Sequence, residues 1–120
     1  VSDKGTLTSS FDVGEFDRKT TFGAVEYIAH YVRSVWGCPL LFFTNPYFDN
    51  PVYADMVRVL LKAAEKWGAF VLDLFNDENF NAVSCKARRL YMKDDIHPTR
   101  AGYRDWIAPE FEKVLSRIVF

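Results

Sequence analysis

Apolar and polar positions change rhythm several times along these 120 residues. Residues 1–19 carry Gly5, Gly14 and several Ser and Thr among alternating acids and bases. No period is sustained there, which predicts a loop. From Thr20 or Thr21 a helical spacing begins, with Phe22, Val25, Ile28, Ala29, Val32 and Trp36 on one face. Gly37 should close that helix, because glycine enters the left-handed conformation of many helix ends at no steric cost. The run Pro39-Leu40-Leu41-Phe42-Phe43-Thr44-Asn45-Pro46 then predicts a short strand buried on both faces. Asn50-Pro51 opens a second helix, the asparagine as cap and the proline preset for the first turn. Met56, Leu60, Ala63, Ala64 and Trp67 line its apolar face as far as Gly68.

A second buried strand, Phe70 to Phe75, follows that glycine directly. Asn76 to Lys93 reads as polar and irregular, with room for a short helical turn. Pro98-Thr99 starts a last helix, whose stripe is Ile107, Phe111, Val114, Leu115 and Ile118. Pro109 lies inside this pattern and should kink or interrupt it, since proline has no N–H to donate. The reading is a single domain: a loop over 1–19, then helix, strand, helix, strand, helix over 20–118. Alternating strands and helices joined by right-handed crossovers imply a parallel sheet covered by helices. Two strands make a small sheet, and the order is that of the later part of a doubly wound α/β domain.

Composition narrows the partners. Lys and Arg number 15 against 16 Asp and Glu, giving a formal charge of −1. No basic block marks a nucleic-acid groove. The longest apolar runs are far too short to span a bilayer. Cys38 and Cys85 lie too far apart for a CxxC metal pair and read as free, half-buried thiols. Trp36, Trp67 and Trp106 read as core. No signal peptide is visible, and an opening on Val1-Ser2-Asp3 without methionine points to an upstream segment. The compartment is not legible.

The stretch that carries chemistry is Tyr91-Met92-Lys93-Asp94-Asp95-Ile96-His97-Pro98-Thr99-Arg100-Ala101-Gly102-Tyr103. A loop can fold the Asp94 carboxylate back onto the imidazole Nδ1–H of His97. That fixes the tautomer and leaves Nε2 to accept a proton. Asp94 favours the imidazolium, whereas the start of the following helix disfavours it. Asp95 reads as a solvated neighbour. Asp73, near the carboxyl end of a strand, reads as a structural hydrogen-bonding residue, and His30 as a partly exposed helical side chain. Asp73, Asp77, Glu78, Asp94, Asp95 and His97 match no metal-ligand spacing, so no metal and no cofactor is expected.

Asp-x-x-His-Pro-Thr, followed by Gly-Tyr and an amphipathic helix, resembles the last block of the SGNH (GDSL-like) hydrolases. Most members carry Asp-Gly-x-His, and Asp95 stands here in place of the glycine. The segment from Thr21 to Ile28, the strand at 40–44, the helix at 51–67 and Val71-Leu72-Asp73-Leu74 resemble the later half of bacterial members. The resemblance implies part of a flavodoxin-like three-layer α/β/α sandwich, with 40–44 as its fourth strand and 70–74 as its fifth. It implies a serine carboxylesterase, acting on a small-molecule or saccharide ester, in which Asp94 is the orienting acid and His97 the general base. The family's Gly-Asp-Ser block has no counterpart here. Ser2-Asp3 is similar to its Asn-Asp pair, but too close to the first helix. Ser9, Ser10, Ser84 and Cys85 lack a nucleophile-elbow context. The chain alone is therefore expected to be inactive, and the edge of the strand at 40–44 to invite self-association or the missing N-terminal half. A noncatalytic binding or assembly module built from the same fold is the alternative.

Overall fold

The computed structural model describes residues 4–118. It is a mixed α/β structure holding two short parallel strands, β1 (Leu41–Phe43) and β2 (Phe70–Leu72), in an open sheet. Phe70 N–H donates to Leu40 C=O at 2.8 Å and Thr44 N–H to Leu72 C=O at 3.1 Å. Residues group into two compact units, one of the chain up to Phe42 with Asn50–Val71, the other of Phe43–Asp49 with the chain from Leu72 onward.

In the first unit, residues 4–19 run without regular structure except a 3₁₀ turn at Val13–Glu15. Helix α1 (Thr21–Tyr31) is capped by Thr20, whose hydroxyl accepts from Gly23 N–H. It passes into a π-helical segment, Val32–Trp36, ended by Gly37 at φ 59° with its N–H on Val32 C=O. Helix α2 (Pro51–Trp67) starts as its sequence predicts, with the Asn50 side chain accepting from Tyr53 N–H and Pro51 in the first turn. Gly68, at φ 65°, closes it.

The buried face of α1 differs from the apolar stripe. Phe22, Ala29 and Val32 are buried, but Ile28 is 48% exposed and Trp36 66% exposed. Glu26 is instead fully buried. Its carboxylate pairs with Lys66 of α2 and accepts from Thr8 N–H and Thr8 Oγ1 at 3.1 Å each and from Trp67 Nε1 at 3.2 Å. The Lys66 ammonium also donates to the carbonyls of Thr8 (2.8 Å) and Ser10. It lies about 5 Å from the rings of Phe11, Phe16 and Trp67. The irregular N-terminal segment is thereby tied to both helices. Phe16, Ala29 and Trp67 form the local core.

The second unit corrects the reading of 76–93. Two helices lie there: α3 (Glu78–Asn81), capped by Asp77, and α4 (Cys85–Tyr91), capped by Ser84. The polar composition hid α4 because half of its side chains face solvent. The last helix carries a second π-helical segment, Gly102–Ile107, before α5 (Ala108–Leu115). Pro109 sits in the first turn of α5, so the interruption expected of it takes the form of this wide turn, which asks no N–H of the proline. Trp106 is the centre of the packing. Its indole stacks between Phe80 (centroids 4.3 Å) and Tyr91 (5.4 Å), and Nε1 donates to Phe80 C=O.

The strands are not buried on both faces. Phe43 is 58% exposed and Phe70 44% exposed, so each strand leaves a side chain of one face in solvent. Leu115 is also exposed at the end of its stripe. Cys38 and Cys85 are free but exposed, not half-buried; Cys38 follows the glycine that ends one helix and Cys85 is the first residue of another.

Candidate functional site

The site is a loop closed at its base. Helix α4 ends at Tyr91, Met92 bridges Pro98 in antiparallel fashion, and Lys93 N–H donates to His97 C=O at 2.8 Å. Thr99 completes the closure: its N–H donates to Tyr91 C=O (2.8 Å) and its hydroxyl to Leu90 C=O (2.7 Å). The same hydroxyl accepts from Gly102 N–H, capping the helix that follows. Gly102 presses against the Tyr91 carbonyl so closely that a Cβ would stand 2.1 Å from that oxygen. Buried Met92 anchors one limb, and residues 93–97 are left in solvent.

Within that loop Asp94 organises the turn. Its Oδ1 accepts from the N–H groups of Ile96 and His97 at 2.7 Å each. Its Oδ2 lies 2.8 Å from His97 Nδ1. These backbone amides first, and the imidazole after them, hold the Asp94 carboxyl at about 2. The carboxylate is therefore ionised at neutral pH and accepts the Nδ1–H. A neutral ring held this way carries its lone pair on Nε2, which has no hydrogen-bond partner among the described residues. The His97 side chain is 70% exposed, so that nitrogen faces water and not hydrocarbon. A base whose tautomer is set from behind is what proton abstraction requires.

The other candidates lie apart from this pair. Asp73 accepts from Thr44 Oγ1 at 2.9 Å and from Asn76 Nδ2 at 2.7 Å, the structural role predicted for it. His30 is half-buried on α1, edge-on to Phe16 and Trp67. Ser84 caps α4, and the Ser10 hydroxyl accepts from Asp12 N–H. Neither hydrogen-bonds to His97. Ser2-Asp3 lies outside the described residues. Among the described residues, no three His, Cys, Asp or Glu side chains converge to hold a metal ion. No helix there is long and apolar enough to cross a membrane.

Sequence reasoning missed Asn81 and Tyr47. Asn81 donates Nδ2 to the carbonyls of Leu74 (2.7 Å), Asp77 (2.9 Å) and Phe75 (3.4 Å), and its Oδ1 accepts from Tyr47 N–H at 2.9 Å. It joins the loops that leave the carboxyl ends of the two strands. Nothing in a lone asparagine announces this; the only available signal was that ligands of open α/β sheets gather at that end. Comparison with protein-family models, with curated proteins and with solved structures finds no match for this chain.

Proposed function

We propose that Asp94 and His97 are the orienting acid and the general base of an SGNH-type carboxylic ester hydrolase. In this reading the chain is the later part of a flavodoxin-like three-layer sandwich. The observation that supports it is the contact between Asp94 Oδ2 and His97 Nδ1, with Nε2 open to solvent. His97 Nε2 takes the proton of the attacking hydroxyl and returns it to the departing alkoxide, while Asp94 steadies the imidazolium formed between those events. A serine block carried elsewhere, on the same polypeptide or a partner, supplies the nucleophile and the oxyanion donors. The 120 residues alone then form no acyl-enzyme.

The assay is p-nitrophenyl acetate hydrolysis by the longest natural polypeptide that contains this chain. The expected result is turnover that falls by about a thousandfold or more in His97→Ala. Full activity in that variant, or no turnover by the parent, overturns the proposal. Turnover by residues 1–120 alone, abolished by His97→Ala, overturns only the assignment of the nucleophile elsewhere.

A noncatalytic assembly module is the second reading, and the exposure of Phe43 on a strand with one neighbour favours it. Strand-edge pairing between copies would cover that side chain. Sedimentation at micromolar concentration distinguishes the two: a stable dimer lost in Phe43→Lys supports assembly, and a monomer rules it out.

A further inference from the structure

The loops leaving β1 and β2 enclose a hollow of about 260 Å³, walled by Tyr47, Phe75, Asn76, Glu78, Asn81 and Ala82. It opens at the carboxyl ends of the strands, where open α/β sheets take their ligands. Phe75 is buried beneath it, and Tyr47, 47% exposed, stands beside it with ring centroids 5.1 Å apart. The wall is thus aromatic and partly open to solvent. Asn81 contributes shape alone, because both ends of its carboxamide are spent on backbone groups. Asn76 donates one Nδ2–H and its backbone N–H to Asp73, which leaves Oδ1 as an acceptor and the second Nδ2–H as a donor. The exposed Glu78 carboxylate makes no hydrogen bond or ion pair with any described residue, and an ionised carboxylate only accepts.

An aromatic wall edged by acceptors matches a ligand with an apolar C–H face and several O–H donors around its rim. The volume falls just under the roughly 300–1,000 Å³ of drug-sized sites, which is space for one ring. We propose that this hollow binds a single pyranose ring of a neutral saccharide, laid against Tyr47 with hydroxyls directed to Glu78 and Asn76. Negatively charged sugars are disfavoured by the same carboxylate. This site does not depend on the ester-hydrolase reading, since it is measured as binding without turnover.

The test is saturation-transfer NMR on residues 1–120 with methyl glucoside, methyl galactoside and methyl mannoside, together with amide shifts of the labelled chain. At least one glycoside should bind with a Kd of about 1 mM and move the amides of Tyr47, Asn76 and Ala82. Tyr47→Ala removes only the ring, because the backbone of Tyr47 is held by Asn81 Oδ1 on its N–H and by Arg88 on its C=O. It should weaken binding about tenfold, and Glu78→Ala should weaken it severalfold with the fold intact by circular dichroism. Absence of saturation transfer from all three glycosides overturns the proposal. So do shifts confined to other residues in the unsubstituted chain, and so does choline moving these amides when the glycosides do not.

Discussion

Glu26 is the residue whose replacement should damage the first unit most. Its side chain is fully buried and receives donors from Thr8, Trp67 and Lys66. Removing one partner of a buried ion pair costs about 3–5 kcal/mol, because the remaining charge and donors keep their desolvation penalty. Lys66 is cushioned, since it retains the Thr8 and Ser10 carbonyls and three aromatic rings. Glu26→Ala should therefore lose about 4 kcal/mol of an ordinary domain stability of about 5–15 kcal/mol. Glu26→Gln, which preserves shape and one acceptor oxygen, should lose about 2 kcal/mol. Lys66→Met strands the carboxylate and should cost about 3 kcal/mol. If the two groups act as one unit, the double variant should also cost about 3 kcal/mol, less than the sum of its parts. Urea unfolding of the four proteins and the parent measures each difference from the midpoint at constant slope. A loss below about 1 kcal/mol in Glu26→Ala, or additivity in the double variant, refutes the buried coupling.

Three further outcomes follow from the second unit. Asp94 titrates at about 2, below the ordinary carboxylate value of 3.8. A depressed folded-state pKa means that its contribution to stability is full above the unfolded value and is lost as pH falls through about 2. A carboxyl ¹³C titration should show that midpoint, and an unshifted one would mean that the amides of Ile96 and His97 do not engage it. Gly102→Ala must push Tyr91 away from the start of the helix, since the new methyl meets the Tyr91 backbone and not a movable side chain. It should cost about 1–3 kcal/mol, read by thermal unfolding, and should broaden the amide resonances of 93–97. Asn81→Ala leaves Tyr47 N–H without its acceptor and takes one donor each from the Leu74 and Asp77 carbonyls, which keep the backbone N–H groups of Asp77 and residue 81. It should lose about 2 kcal/mol, whereas Tyr47→Ala should lose much less.

Local chemistry was the most legible part of the chain. Asn50-Pro51, Gly37 and Gly68 mark helix ends where the structure has them, because caps depend on neighbouring atoms alone. The contact of Asp94 with His97 belongs to the same class, a three-residue turn that needs nothing distant. Burial was harder to read. Of the Phe22-to-Trp36 stripe, Phe22, Ala29 and Val32 are buried, whereas Ile28 and Trp36 are exposed, because periodicity names a face and not what packs on it. Glu26 was invisible because a glutamate in a helix ordinarily faces solvent, and its partner Lys66 lies 40 residues away. Helix α4 was passed over for a related reason: Cys85-Lys86-Ala87-Arg88-Arg89 shows no apolar stripe, and only the Ser84 cap signalled it. The catalytic role given to His97 rests on resemblance joined to this local geometry.

The wide turn at Gly102–Ile107 has a consequence for how this region can vary. It holds more residues than an α-helical turn, which allows Trp106 and Ile107, adjacent in sequence, both to face inward. Tyr103, Arg104 and Asp105 project into water and can be exchanged for almost any side chain. Deleting any one of them would rewind the turn and rotate Gly102 relative to Trp106 by about 100°. The segment is thus permissive in identity and strict in length.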